Sequence, residues 1–127
     1  MAVPKSCRAS SHRLDAALGQ RRAELDDLKG RIEADVREAF LDLQTATSQV
    51  ELAIQNRDVT RQTLDLTRQR FDAGVTDTVD VSQAQASVAA AELDYINAVF
   101  AHNVAKLSLA RAAGGAVESL PRFLNLK

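Results

Sequence analysis

The stretch RFDAGVTDTVDVSQAQ, residues 70–85, is a short break in a chain that otherwise has the pattern of helix. Gly74 stands where the C-terminus of a helix needs a left-handed residue, and residues 76–78 (Thr-Asp-Thr) are candidates for the N-cap of a second helix. Asp77 and Asp80 would lie near the positive end of that second helix dipole. Because so short a connection requires antiparallel neighbours, the stretch predicts a helical hairpin.

The residues before this turn predict a long first helix over about 14–72. Apolar or small residues recur there at spacings of three and four, without a proline, which is the period of a helix packed against a partner helix. Arg57 and Thr60 fall in the same register, so polar groups there must face water or a neighbouring helix. The main stripe comprises Leu25, Leu28, Ile32, Ala39, Leu43, Ala46, Val50, Ala53, Leu64 and Phe71, and a second stripe on another face comprises Leu52, Val59 and Leu66.

The residues after the turn predict a second, shorter helix over about 78–113. The alternation of three and four continues there without interruption, and Gly114 and Gly115 supply the expected C-terminal stop. Two apolar faces on each helix imply more than one partner helix, since a two-stranded coiled coil needs only one face. The seam positions are Val81, Ala84, Val88, Ala91, Tyr95, Ala98, His102, Ala105, Leu109 and Ala112, and the second face carries Ala86, Leu93, Ile96, Phe100, Val104 and Leu107.

The composition and charge of the chain limit the classes of protein to which it can belong. The chain has 127 residues, of which 46% are hydrophobic and 26% charged, as expected for one folded domain. No run has the period-two alternation of a strand, so the sequence predicts an all-α fold, a long antiparallel coiled-coil-like hairpin. The net charge of −1 provides no basic field for nucleic acid. The sequence contains no secretory signal and no run near the roughly 18 apolar residues of a transmembrane helix.

The two ends of the chain stand apart from the predicted hairpin at 14–115. Residues 1–13 carry several basic side chains and the single cysteine, Cys7, and we expect them to form a flexible leader. Residues 116–127 form a C-terminal tail that is too short to make a domain. Its apolar side chains are enough to dock on another surface, and they include Phe123, Leu124 and Leu126.

The residues around the turn follow a family pattern: an aromatic residue, two further residues, glycine, a short polar loop, aspartate, an apolar residue and, shortly afterwards, Ala-Gln. Together with a long first helix and an Ala-rich second helix, this pattern resembles the C-terminal helical-hairpin repeat of the outer membrane factor family, the TolC-like outer membrane efflux proteins. The resemblance covers about residues 25–115. Phe71 stands where the family often has Tyr. The matching positions are Phe71, Gly74, Asp80, Val81, Ala84 and Gln85.

The resemblance implies a part of an exit duct in the outer membrane and periplasm. Three full-length protomers join their hairpins into a helical barrel across the periplasm, which a β-barrel continues through the outer membrane. The implied partners are the other copies of a homotrimer, a periplasmic adaptor protein and, through it, the inner-membrane pump of a tripartite efflux or type I secretion system. The hairpin tip that docks the adaptor would consist of Phe71, Asp72, Ala73, Gly74, Val75, Thr76, Asp77, Thr78, Val79, Asp80 and Val81.

The resemblance also bears on how much of a channel this sequence represents. A family member has two such hairpins, β-strands and an export signal, whereas this sequence has one hairpin. We therefore expect a C-terminal fragment that does not form a pore by itself. Contact with the outer membrane would come only through segments outside this chain.

Enzymatic chemistry is the least supported class of function. His12 and His102 have no Cys, His or carboxylate beside them at metal-ligand spacing, and His102 falls on the seam of the second helix, as an interfacial polar residue would. The sequence has no glycine-rich phosphate loop and no nucleophile motif. No catalytic residue, cofactor site or metal site is predicted.

Two other architectures stay open at the level of sequence. One is a structural coiled-coil hairpin, such as the arm of a periplasmic adaptor or an assembly scaffold without a duct. The other is a compact four-helix bundle, which requires breaks near Gly30 and near Arg57. Continuity of the helix over residues 33–71 separates the extended hairpin from the bundle.

Overall fold

The computed structural model describes residues 5–115, with side chains from residue 8 onward. Two helices account for most of that range, α1 (Lys5–Asp72) and α2 (Thr78–Ala112), and residues 5–115 contain no strand. The predicted all-α hairpin is therefore confirmed. The predicted docking of the tail at 116–127 concerns residues outside the described range.

The helix α1 begins at Lys5, upstream of the predicted start near residue 14. Ion pairs one turn apart, such as Arg31 with Asp27 at 2.7 Å, add small increments of stability along its exposed surface. The predicted flexibility of residues 1–13 stays a prediction.

The helix α1 continues without a break past Gly30 and past Arg57. Gly30 lies inside the helix. A glycine there lowers helix stability by about 1 kcal/mol relative to alanine, which is too little to interrupt the helix. The two breaks that a compact four-helix bundle requires are absent from the described residues. The alternative interpretation of the chain as a compact four-helix bundle is therefore wrong.

The chain divides into two compact units, Met1–Arg37 and Glu38–Lys127. The described part of the first unit consists only of helix α1, and all of its large apolar side chains except Val36 are about half exposed or more. The second unit is the hairpin, in which the rest of α1 packs against α2. The exposed apolar side chains of the first unit are Leu14, Leu18, Leu25, Leu28 and Ile32.

The core of the second unit is a narrow seam of small side chains. Within residues 38–115, five of the six buried apolar residues are alanines, and the sixth is Leu64. Small residues in a helix interface permit close approach of the two axes, but they bury little area each. The buried set is Ala39, Ala46, Leu64, Ala91, Ala105 and Ala110.

No helix within the described residues carries an apolar stretch sufficient to cross a membrane.

Candidate partner-binding site at the hairpin turn

The first helix ends at the turn through a Schellman motif. Gly74 has a φ of 73°, and its N–H donates to the carbonyl oxygen of Phe71 at 2.9 Å. The N–H of Val75 donates to the carbonyl oxygen of Arg70, also at 2.9 Å. These two bonds satisfy two of the carbonyls in the last turn of α1. A Cβ added at Gly74 would meet no atom within 4 Å, so the positive φ, and not lack of space, is what favours glycine there.

The second helix begins at an aspartate cap. Of the three N-cap candidates at residues 76–78, the structure selects Asp77, with extended backbone at φ −100° and ψ 176°. The Asp77 carboxylate accepts hydrogen bonds from the N–H groups of Val79 at 3.0 Å and of Asp80 at 3.1 Å. Asp80 lies in the first turn of α2, where the helix dipole favours a negative charge. Both helix ends that meet at the turn are thus capped.

The predicted tip residues lie together at this turn and are mostly exposed. Three large apolar side chains lie exposed there, with exposed fractions of 73% for Val75, 67% for Val79 and 44% for Phe71. Thr76 and Val81 are half-buried. Apolar groups left in water at one end of a hairpin mark a surface that a partner could cover. The other exposed tip residues are Asp72, Ala73, Gly74, Asp77, Thr78 and Asp80.

A polar cleft of about 310 Å³ lies directly behind the tip, between the two helices. Arg70 and Asp80 contribute opposite charges to its lining, and threonine and serine hydroxyls contribute most of the rest. The Oγ1 of Thr76 is buried in this region without a hydrogen-bond partner among the described residues. Within residues 5–115, no group of three or more His, Cys, Asp or Glu side chains is placed to hold a metal ion.

The sequence left the environment of Arg57 open, and the structure places this side chain against α2. Its guanidinium carbon lies 4.4 Å from the centroid of the Tyr95 ring, and its Nη1 is 4.0 Å from a carboxylate oxygen of Glu92. Arg61 donates a hydrogen bond to the other carboxylate oxygen of Glu92. Arg57 and Glu92 stand at nearly equal sequence distances on either side of the turn, and this symmetry of an antiparallel hairpin is the signal that could have paired them.

Both helices of the hairpin carry a second apolar stripe that stays exposed. On α1, Leu52, Val59 and Leu66 are 63%, 59% and 57% exposed, which confirms the second face that the sequence indicated. On α2, the corresponding stripe has exposed fractions between 48% and 70%. Each helix therefore offers apolar surface to a neighbour besides its hairpin partner. The exposed stripe of α2 consists of Leu93, Ile96, Phe100 and Val104.

A family model described as outer membrane efflux protein matches residues 6–115. The chain belongs to the outer membrane efflux protein family. The match includes both helices and the turn, and it begins upstream of the predicted hairpin start at residue 14. No curated protein and no solved structure matches the chain.

Membership of the outer membrane efflux protein family confirms the resemblance that the turn residues indicated. The family is one of transport channels of the outer membrane and periplasm, and it is not a family of enzymes. Its members generally form trimeric channels that work with adaptor proteins. The hairpin of this outer membrane efflux protein is consistent with that architecture, because helices in a closed ring need a neighbour on each side.

Proposed function

We propose that this chain supplies a helical hairpin to the periplasmic duct of an outer-membrane efflux channel, and that its turn docks a periplasmic adaptor protein. The observation that carries the proposal is the exposed apolar tip, where Val75 and Val79 face solvent on a turn whose two helix ends are both capped. In this proposal the hairpin is structural along its length and partner-binding at its turn. The duct belongs to a tripartite efflux or type I secretion system.

The rigidity of the turn supports a docking role. Gly74 and Asp77 satisfy backbone groups of the two helix ends, so the five residues between the helices are held by hydrogen bonds on both sides. A surface that is ordered before it meets its partner loses less conformational entropy on binding. A turn of this kind presents the side chains of Val75 and Val79 in one arrangement.

The chemistry of the tip specifies the kind of adaptor surface that fits it. Val75 and Val79 form the apolar part, and the exposed residues Asp72, Asp77 and Asp80 add carboxylates to the same turn. A matching adaptor would offer a small apolar pocket with basic side chains around it, since complementary charge increases the rate and the specificity of docking. The same carboxylates would line the mouth of the duct with negative charge.

The second apolar stripes support the assembly into a duct. A hairpin that worked alone would expose the stripe of Leu52, Val59 and Leu66 to water, at a cost of solubility. In a ring of hairpins these side chains are covered by the next helix. The proposed assembly is a homotrimer of the full-length protein, which reaches the outer membrane through segments outside this chain and reaches an inner-membrane pump through the adaptor.

A structural hairpin without a duct, such as an adaptor arm or a scaffold, is the alternative that the sequence left open. The family match favours the channel over that alternative. No observation on the described residues favours a scaffold specifically.

Site-specific crosslinking in cells that express the full-length channel protein tests the docking proposal. Cys7 is first replaced by serine, and a single cysteine is introduced as Val75→Cys at the tip, with Glu51→Cys as the matched exposed control on α1. Glu51 lies on the order of 35 Å from the turn, at 1.5 Å per helical residue. We expect a crosslinked adduct with the adaptor from the Val75→Cys protein and none from the control. An absence of adducts from both positions, or equal adducts from both, would contradict docking at the tip.

A further inference from the structure

The hairpin has two clefts, and both open on the same side of it. Besides the polar cleft behind the tip, a second cleft of about 520 Å³ lies between α1 and α2 farther from the turn. On α1, Thr45 lines the second cleft, and Thr63, 18 positions later, lines the polar cleft. On α2, Gln83 in the polar cleft and Ala101 in the second cleft are also 18 positions apart. Because 18 residues make five turns at about 3.6 residues per turn, each pair points in one direction.

Two lines of residues at intervals of seven connect the clefts. Every seventh residue returns to nearly the same side of a helix, so each line follows one side of its helix. The first two and the last two members of each line belong to the clefts, and the middle members, Asn56 and Asp94, fall between them. We call this surface the cleft side. Its line on α1 is Asp42, Gln49, Asn56, Thr63 and Arg70. Its line on α2 is Asp80, Ser87, Asp94, Ala101 and Ser108.

The opposite side of the hairpin has a different composition. Two positions along a helix turn a side chain through about 200°, so Asp58 points away from Asn56, and Glu92 points away from Asp94. The ion pair of Glu92 with Arg61 therefore lies on this opposite side. We call this surface the charged side, because its line on α1 is acidic and exposed throughout. That line is Glu51, Asp58, Asp65 and Asp72.

In the proposed duct, the cleft side and the charged side become the inner and the outer surfaces. Leu66 is two positions from the buried Leu64, so the second apolar stripe of α1 points away from the seam. In a ring of hairpins, α2 covers the seam and the next helix covers the stripe. The cleft side and the charged side then have no neighbouring helix, and one of them must face the lumen. This step rests on the proposed function.

The size of the side chains favours the cleft side as the inner surface. The inner circumference of a closed ring of helices is shorter than the outer one, so side chains that point inward have less room. Small residues such as Thr63, Ser87 and Ala101 occupy much of the cleft side, and they leave it hollow at the two clefts. The longer side chains of Glu51 and Arg61 have room to spread on an outer surface. Hydroxyl and amide groups also suit the wall of a duct, because they hydrogen-bond to passing solutes without holding them tightly.

We propose that the cleft side lines the lumen of the duct, and that Asp42 and Asp94 give this lumen a preference for cations. Arg70 is the one basic residue in the two lines, and it shares the polar cleft with Asp80, so these two charges offset each other. Asp42 and Asp94 are exposed, and neither forms a salt bridge with another described residue. Unpaired carboxylates on the wall of a water-filled duct concentrate cations and repel anions. The solutes that this wall favours are cationic or uncharged polar molecules.

Modification of single cysteines in the full-length channel, reconstituted in a planar lipid bilayer, tests which side faces the lumen. In a Cys7→Ser background, Thr63→Cys places a thiol on the cleft side, and the matched control Asp65→Cys places one on the charged side; both replace exposed residues. A positively charged methanethiosulfonate is added to both chambers, and mass spectrometry confirms that both proteins are modified. Because positive charge in the lumen repels K⁺, modification should lower the K⁺ conductance of the Thr63→Cys channel about twofold and leave that of the control unchanged. The reverse pattern, or equal losses, would overturn the assignment of the cleft side to the lumen.

Neutralisation of one carboxylate on each side tests the ion preference. Asp94→Asn and its control Asp58→Asn remove the same charge from exposed side chains. Reversal potentials in a KCl gradient should give a ratio of K⁺ to Cl⁻ permeability that falls about twofold in Asp94→Asn and does not change in Asp58→Asn. A ratio that is unchanged in Asp94→Asn, or that falls equally in both variants, would contradict the role of the cleft side. A parent protein without channel conductance would contradict the proposed function itself, so the two failures are distinguishable.

Discussion

The seam between α1 and α2 is built in two ways along its length. Most of it is made of buried alanines, among them Ala39 and Ala105, whose side chains are 5% and 8% exposed. In its middle it is crossed by Arg57 and Glu92, whose side chains stay 24% and 32% exposed, with the ring of Tyr95 beneath the guanidinium. The alanine part of the seam excludes water with small side chains. The crossing in the middle fills the space between the helices with the large side chains of Arg57, Glu92 and Tyr95.

The difference separates stability from selectivity of pairing. Buried apolar side chains stabilise the hairpin in proportion to the area they remove from water. The polar crossing includes Arg57 Nε, which is buried without a hydrogen-bond partner among the described residues, and an unsatisfied buried donor costs about 1 to 3 kcal/mol. Ion pairs in an apolar interface add little net stability, but they disfavour wrong partners and wrong registers. We infer that the alanine seam stabilises the hairpin and that the Arg57 crossing selects α2 as the partner.

The largest effect is expected from Leu64→Ala, which removes the one large side chain of the buried core within residues 8–115. The loss of free energy of unfolding should be about 2 to 4 kcal/mol, since a buried leucine loses transfer energy and leaves a cavity. Urea unfolding followed by helix circular dichroism measures this loss. The control is Leu66→Ala, whose side chain is 57% exposed on the opposite face. If both variants lost equal stability, the assignment of the seam to the Leu64 face would be incorrect.

The next effect is expected from overpacking the alanine seam with Ala91→Leu. Ala91 is 2% exposed, so three added carbons must push the helices apart, at a cost of about 1 to 3 kcal/mol. The neighbouring Ala90→Leu places the same side chain in solvent and should leave the midpoint of unfolding nearly unchanged. Thermal unfolding of the two variants side by side provides the measurement. A stabilised Ala91→Leu protein would show that the seam has unfilled space at that position.

The sequence predicted the seam and the turn because both depend on local rules. Periodicity identified Ala39 and Ala46 as seam positions, and the need for a positive φ identified Gly74 as the residue that reverses the chain. The same periodicity placed Arg57 on the seam but did not identify its partner on α2. A helical repeat determines which residues share a face, and it does not determine which residues of another helix that face contacts. The pairing with Glu92 became visible only when the turn set the alignment of the two helices.

Two further features exceed what local patterns contain. The start of α1 at Lys5 depends on whether weak helix formers such as Ser10 and Ser11 are carried along by the helix that follows them, which is a cooperative effect and not a property of those residues. The cleft of about 520 Å³ that Ala46, Phe100 and Ala105 line depends on the difference in size between these side chains, which lie far apart in sequence. The position of this cleft follows from helix packing, so it cannot be located from the sequence before the alignment of the two helices is known.

A smaller effect is expected from Glu92→Gln, which leaves the guanidiniums of Arg57 and Arg61 without their shared carboxylate. Because the cluster is partly exposed, the loss should be about 1 kcal/mol and should shrink as salt is added. The control is Glu33→Gln, which breaks the exposed pair of Glu33 with Arg37 one turn away and should cost only a few tenths of a kcal/mol. Chemical unfolding at low and high ionic strength gives both values. A loss that does not depend on salt would argue for a packing role of Glu92.

The smallest effect, and the most informative, is expected from Arg57→Met. Methionine restores an apolar side chain to the seam and removes the unpartnered Nε, while the contact with the Tyr95 ring, about 0.5 to 1 kcal/mol, is lost. These contributions nearly cancel, so the free energy of unfolding should stay within about 0.5 kcal/mol of the parent or rise slightly. The selectivity of pairing should fall instead, because the half-exposed pair of Arg61 with Glu92 is then the polar contact left to distinguish α2 from another alanine-rich helix. Sedimentation measures this as self-association at concentrations where the parent chain sediments as a hairpin monomer. A loss of more than about 1.5 kcal/mol without any change in association would place Arg57 among the residues that stabilise the fold, and the division between the two parts of the seam would disappear.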